Sequence, residues 1–141
     1  MEKTFTKPTS GFVNVNGIRI HTLDWGGEGE PIVVLHATGF LGRIYRPLAE
    51  RLRAIGHVYS YDQRGHGDSA SAPDGNYDWT LTMKDLEGVI ATMGWRNVRA
   101  IGHSAGATAI GGLAAERLDL ISRAVLVEPV IFESPTSSKL R

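Results

Sequence analysis

Two rhythms of apolar residues alternate along this chain. Phe12-Val13-Asn14-Val15 and Ile18-Arg19-Ile20-His21-Thr22-Leu23 flank Asn16-Gly17, the favoured two-residue turn, and so predict an antiparallel hairpin. After the Gly26–Gly29 loop, Pro31–His36 is a continuous apolar run, the mark of a strand covered on both faces. Ile44, Leu48, Leu52 and Ile55 then recur at helical spacing, which predicts a helix over Leu41–Ile55 with Gly56 as its stop. Val58–Asp62 reads as a strand, followed by a glycine-rich loop to Asn76. A second helix is predicted over Thr80–Met93, with Leu81, Leu86, Val89, Ile90 and Met93 inward and Gly94 ending it. Val98–Ile101 as strand, Ala105–Leu118 as helix and Ala124–Val127 as strand complete the series, before a polar tail from Ser134 to Arg141. The alternation, with right-handed crossovers, predicts an α/β protein: a mostly parallel sheet with helices on both faces, led by the antiparallel hairpin.

The segment Gly102-His103-Ser104-Ala105-Gly106 changes the picture from fold to chemistry. It follows a strand and opens a helix, the setting of a nucleophile elbow, in which a strained turn lifts a serine hydroxyl clear of the backbone. Such a turn leaves no room for side chains two residues on either side, and Gly102 and Gly106 meet that demand. The new helix N-terminus aims unpaired N–H groups at charge developing on a substrate oxygen, which nominates the N–H of Ala105 as an oxyanion donor.

Three motifs in one order, His36-Ala37-Thr38-Gly39-Phe40, Asp62-Gln63-Arg64-Gly65-His66-Gly67-Asp68-Ser69 and the elbow, resemble the α/β-hydrolase fold family across nearly the whole chain. The resemblance implies that Ser104 attacks an acyl carbon and that the backbone N–H groups of Thr38 and Ala105 form the oxyanion hole. It also implies an ion pair between Asp62 and Arg64 that pins their loop. Ala37 stands where the family usually has glycine. The family order is serine, then acid, then histidine. Here His21, His36, His57, His66 and His103 all precede Ser104, and only Glu116, Asp119, Glu128 and Glu133 follow it as acids. The chain therefore reads as one partial α/β-hydrolase domain over residues 1–141, truncated before the lid and the strands that carry the acid and the histidine. Glu128 sits where a catalytic acid could lie, but beside Pro129 it reads as a strand-end charge. His36 reads as a structural hydrogen-bonding residue, and His103 as packing near the oxyanion hole.

Composition narrows the function classes. Lys plus Arg and Asp plus Glu each number 15, a formal net charge of zero, so no overall field predicts a nucleic-acid or membrane partner. The chain has no cysteine, which excludes disulfides, thiolate metal sites and a cysteine nucleophile. No signal-peptide core or membrane-length apolar run stands out, and the expectation is a cytoplasmic protein. Asp62, His66 and Asp68 offer metal-type donors, but in a glycine-rich turn without a fourth ligand they predict structure, not a metal. Gly65-x-Gly67-x-x-Ala70 with Glu87 downstream imitates a dinucleotide fingerprint, yet Ser71–Asn76 is turn chemistry where that fingerprint must open a helix. The expectation is a cofactor-free serine hydrolase acting on a small ester-type substrate, with little activity as this chain alone. The competing class is a non-catalytic binding or assembly module that retains the elbow as architecture. Phe40, Leu41 and Trp79 are candidates for an apolar pocket. An uncovered edge at Ala124–Val127 predicts self-association or a partner chain.

Overall fold

Asn16 (φ 50°) and Gly17 (φ 74°) both adopt left-handed backbone, the requirement of a type I′ turn, and they join β1 (Thr9–Val15) to β2 (Ile18–Gly26) in antiparallel register. The computed structural model describes residues 5–131, so the Ser134–Arg141 tail and Glu133 lie outside the described residues. The remaining strands are β3 (Pro31–Leu35), β4 (His57–Tyr61), β5 (Val98–His103) and β6 (Ile121–Val127), and the six-stranded sheet runs β1-β2-β4-β3-β5-β6. β2 pairs with β4 antiparallel, whereas β4, β3, β5 and β6 are mutually parallel. No helix among the described residues is long and apolar enough to cross a membrane.

The alternation of β3 divides the core. Val33 and Leu35 join a layer with Leu86, Val89 and Ile90 of α2 (Trp79–Met93) and Ala109, Ile110 and Leu113 of α3 (Ala105–Glu116). Ile32 and Val34 face the other way, against Trp25, Val58 and Ala49 of α1 (Arg46–Leu52). Helices thus cover both faces, as a strand with no polar alternation demands. From β3 the chain crosses one face through α1 to β4, then returns over the other face through α2 to β5, on the opposite side of β3. The connections leaving β3 and β5 consequently turn toward opposite faces, and a crevice opens at the carboxyl ends of these neighbouring strands.

The element expected over Leu41–Ile55 is two pieces. A 3₁₀ turn spans Gly42–Tyr45 and α1 begins only at Arg46, while Ile44 and Ile55 are exposed at 54 % and 62 %. Pro47 is the reason: it lacks an N–H and its ring collides with the carbonyl of the preceding turn, so it is accommodated at the start of a helix and not inside one. Gly56 is also no helix stop. A Cβ there would sit 2.7 Å from the Glu30 carbonyl oxygen, so glycine is needed for close approach. By contrast α2 ends as expected, with Gly94 closing the helix at φ 66°; its start, one residue before the expected Thr80, is capped by the Asp78 side chain, which accepts the Thr80 N–H at 2.8 Å.

Among the described residues β6 is the outer parallel strand and pairs only with β5. Val125, Leu126 and Val127 on it are exposed at 55 %, 40 % and 44 %.

At the β5–α3 junction the backbone is tightly packed. A Cβ on Gly102 would lie 2.5 Å from the Ala107 nitrogen, and one on Gly106 would lie 2.5 Å from the Leu35 carbonyl oxygen. Backbone atoms cannot move aside as a side-chain tip can, so Gly106→Ala is expected to lower stability by at least about 1–3 kcal/mol. Gly111→Ala, in the same helix but facing the end of the exposed Leu126 side chain at 3.2 Å, is expected to be neutral or slightly stabilising. Urea denaturation of the two variants measures the contrast, and equal effects would remove the packing argument.

Candidate active site

Ser104 has φ 50° and ψ −111°, outside the regions open to ordinary L-residues, a conformation that costs about 1–3 kcal/mol and persists only where its surroundings enforce it. The enforcement is visible: the Ser104 N–H donates to the Val127 carbonyl at 2.9 Å, and the Ser104 carbonyl accepts the Thr108 N–H at 2.9 Å. Its side chain is half-buried and makes no hydrogen bond among the described residues. Ala105 is the first residue of α3, so its N–H has no partner within the helix.

Thr38 lies in the loop that leaves β3 and is exposed, and its N–H donates no hydrogen bond among the described residues. Thr38 and Ala105 line one cleft of about 270 Å³, with Gln63, Arg64, His66, Tyr77, Trp79 and Thr82 as the remaining wall. A second cleft of about 190 Å³, almost wholly apolar, opens on the α1 face beside Tyr45, His103 and Val127. Two cavities therefore flank the Ser104 turn. Of the apolar candidates, Trp79 lines the first cleft, Phe40 packs on His103 with ring centroids 5.9 Å apart, and Leu41 is exposed.

The loop after β3 is held by residues whose roles follow from their hydrogen bonds. His36 is fully buried; its Nδ1–H donates to the Ala37 carbonyl at 2.7 Å and its Nε2 accepts the Gln63 N–H at 2.9 Å. Burial holds its pKa below the ordinary 6.5, opposed in part by the Ala37 carbonyl. His66 Nε2 accepts the Gly39 N–H at 3.0 Å while its Nδ1–H donates to the Arg64 carbonyl at 3.0 Å. Tyr45 joins the two halves of the site: its oxygen accepts the Ala37 N–H at 3.3 Å and its hydroxyl shares a hydrogen bond with His103 Nδ1 at 2.8 Å. Nothing in the sequence singles out Tyr45, which reads there as one position of a helix.

The Asp62–Arg64 ion pair expected from the resemblance does not form. Arg64 instead makes a bidentate pair with Asp85 of α2, at 2.6 Å and 2.8 Å, with both side chains buried. Asp62 turns the other way, taking His21 Nδ1–H at 2.9 Å and the N–H groups of Gly42 and Asp68 at 2.9 Å and 3.1 Å. The physical reason is division of labour: a buried carboxylate on α2 needs a cation, and Arg64 is the side chain that reaches it. Asp85 falls in helical register with inward Val89, and that placement in the sequence was the available signal for a buried ion pair.

His21, Asp62 and Asp68 place three metal-type donor atoms within 4.8 Å of one another. This differs from the Asp62, His66, Asp68 set that the sequence offers, and two of its members already hydrogen-bond each other. All five histidines of the chain have their rings engaged away from Ser104: His21 with Asp62, His36 with Ala37 and Gln63, His57 with Asp24, His66 with Gly39, and His103 with Tyr45. Glu128 is exposed and makes no side-chain hydrogen bond among the described residues.

A strained serine at the strand-to-helix turn, with glycines packed on either side, sits at the crevice of a sheet whose family is directly identifiable. Residues 32–140 match the model of the alpha/beta hydrolase family, and the chain belongs to it. Among curated relatives, an N-formylmaleamate deformylase of Pseudomonas putida is 33 % identical over 121 residues, covering 86 % of this chain and 45 % of the relative. Epoxide hydrolase A of Mycobacterium tuberculosis is 35 % identical over 108 residues, 73 % of this chain and 33 % of the relative. Among solved structures, an N-formylmaleamic acid deformylase from Pseudomonas putida superposes with a TM-score of 0.79 at 29 % identity, over 86 % of this chain and 47 % of that one. This chain thus spans less than half the length of these relatives.

The buried neutral His36 has a pH consequence. Its folded pKa lies below 6.5, so the unfolded chain binds the proton more readily, and the stability it contributes is present above about 6.5 and lost as pH falls through the folded value. Thermal melts from pH 7.5 down to pH 5 are expected to show declining stability with a shallower slope in His36→Gln. An unchanged slope would show that another group carries the acid sensitivity.

Proposed function

We propose that this chain carries the nucleophilic half of a serine hydrolase that cleaves an ester-type acyl bond of a small molecule. In this reading Ser104 Oγ adds to the carbonyl carbon, and the N–H groups of Thr38 and Ala105 receive the resulting oxyanion. The reading rests on one observation above others: the half-buried Ser104, at φ 50°, directly precedes Ala105, which lines one cleft with Thr38, and neither the Thr38 N–H nor the Ala105 N–H donates a hydrogen bond among the described residues. The deformylase relative, whose name describes removal of a formyl group, supports acyl hydrolysis as the reaction type. No transmembrane or nucleic-acid partner is part of this proposal, and no cofactor is required by the acyl-transfer chemistry.

The proton on Ser104 must go to a base, and every histidine of this chain is committed elsewhere. The proposal therefore includes low turnover by these residues alone, since loss of the base removes most of the rate enhancement of a serine–histidine–acid system. A fluorophosphonate probe followed by peptide mapping tests it. Slow phosphonylation of Ser104 is expected, accelerated on the order of tenfold or more by added imidazole acting as external base, and abolished in Ser104→Ala. Folded protein that leaves Ser104 unmodified at saturating imidazole would overturn the assignment.

The exposed β6 edge favours a second reading, an assembly module in which Val125, Leu126 and Val127 meet another chain. It is expected to give a concentration-dependent dimer in sedimentation, weakened by Val125→Lys. A monomer at all concentrations would exclude self-association through that edge.

A further inference from the structure

A second serine in this chain has the base that Ser104 lacks. Ser10 on β1 and His21 on β2 lie on the same face of the hairpin, because Ser10 pairs with Leu23 and Phe12 with His21. Ser10 Oγ is 2.6 Å from His21 Nε2, and His21 Nδ1 is 2.9 Å from Asp62 Oδ2. The hydrogen bonds fix the proton positions. Asp62 accepts from three donors, and its hydrogen bonds to His21, Gly42 and Asp68 outweigh burial to hold its carboxyl below the ordinary range, so it is an ionised acceptor. His21 Nδ1 must then carry the hydrogen, which leaves Nε2 with a lone pair directed at Ser10, whose O–H donates to it. This is the tautomer logic of a serine–histidine–aspartate relay, built on residues unrelated to the elbow.

The surroundings preserve that arrangement while leaving the hydroxyl open. His21 is 3 % exposed and its backbone N–H is held by Ser69 Oγ at 2.8 Å; Ser69 Oγ in turn donates to the Asp62 carbonyl. Phe12 packs on the imidazole with ring centroids 5.1 Å apart. Asp68, largely exposed, places a second carboxylate oxygen 3.8 Å from Nδ1. Ser10 is exposed. Arg19 stacks over Phe12 at 3.6 Å on the same hairpin face, presenting a cation that suits donors with an anionic leaving group.

We propose that Ser10 is a second nucleophilic site, activated by His21 and Asp62, that accepts an acyl group from small acyl donors with anionic leaving groups. Ser10 Oγ bonds to the carbonyl carbon as its proton passes to His21 Nε2. The tetrahedral adduct collapses by breaking the bond to the leaving oxygen, which departs as the anion. His21 then releases its proton to water, leaving an acyl ester on Ser10.

The test is acetylation by p-nitrophenyl acetate, read by peptide mapping, with the exposed Ser71 as internal control because it has no hydrogen-bonded base. Ser10 is expected to acetylate on the order of 10² times faster than Ser71, the range of general-base assistance, and the advantage is expected to vanish in folded His21→Gln. A Ser10 rate equal to that of Ser71 in the native protein overturns the proposal and needs no variant to do so. An advantage that survives His21→Gln overturns it too. Ser10 and Ser104 report in different peptides, so failure at one leaves the other assignment standing.

Discussion

The backbone contact between α3 and β3 is the constraint on which the site depends. Gly106 lies so near the Leu35 carbonyl that no side chain fits between helix and strand, and Gly102 is as close to the first turn of α3. Because the helix is pressed against the sheet from its first turn, the chain has a single residue in which to reverse from strand to helix. Ser104 absorbs that reversal at φ 50°. Its conformation therefore expresses how tightly two larger elements meet, and local sequence preference alone would not produce it.

The hairpin and the end of α2 were legible in the sequence because they carry unambiguous chemistry: Asn16-Gly17 for a left-handed turn and Gly94 as terminator. The divided segment before β4 was misread because helical spacing at Ile44, Leu48, Leu52 and Ile55 outweighed Pro47, the one residue that forbids a continuous helix there. Periodicity reports which residues could share a face. It does not report whether the backbone between them can be hydrogen-bonded.

The polar interior was less legible than the apolar one, for a related reason. Arg64 pairs with Asp85 across a strand-to-helix connection, and His21 of β2 pairs with Asp62 just past the end of β4. Both contacts depend on which elements become neighbours, so the short spacing between Asp62 and Arg64 pointed to a partnership that tertiary structure overrules. The elbow and the Thr38 loop stand out in the sequence because each is a contiguous motif. Tyr45 does not, since its importance comes from bridging Ala37 and His103 at once.

The topology has a consequence for how this site comes into being. Thr38 and Ser104 belong to distant stretches of chain that become neighbours only when β3 and β5 zip together in register. No excised peptide can carry the pair, and no partly unfolded state that opens this ladder retains it. The crevice is cooperative with the sheet: the opening that separates β3 from β5 is the same event that dismantles the site.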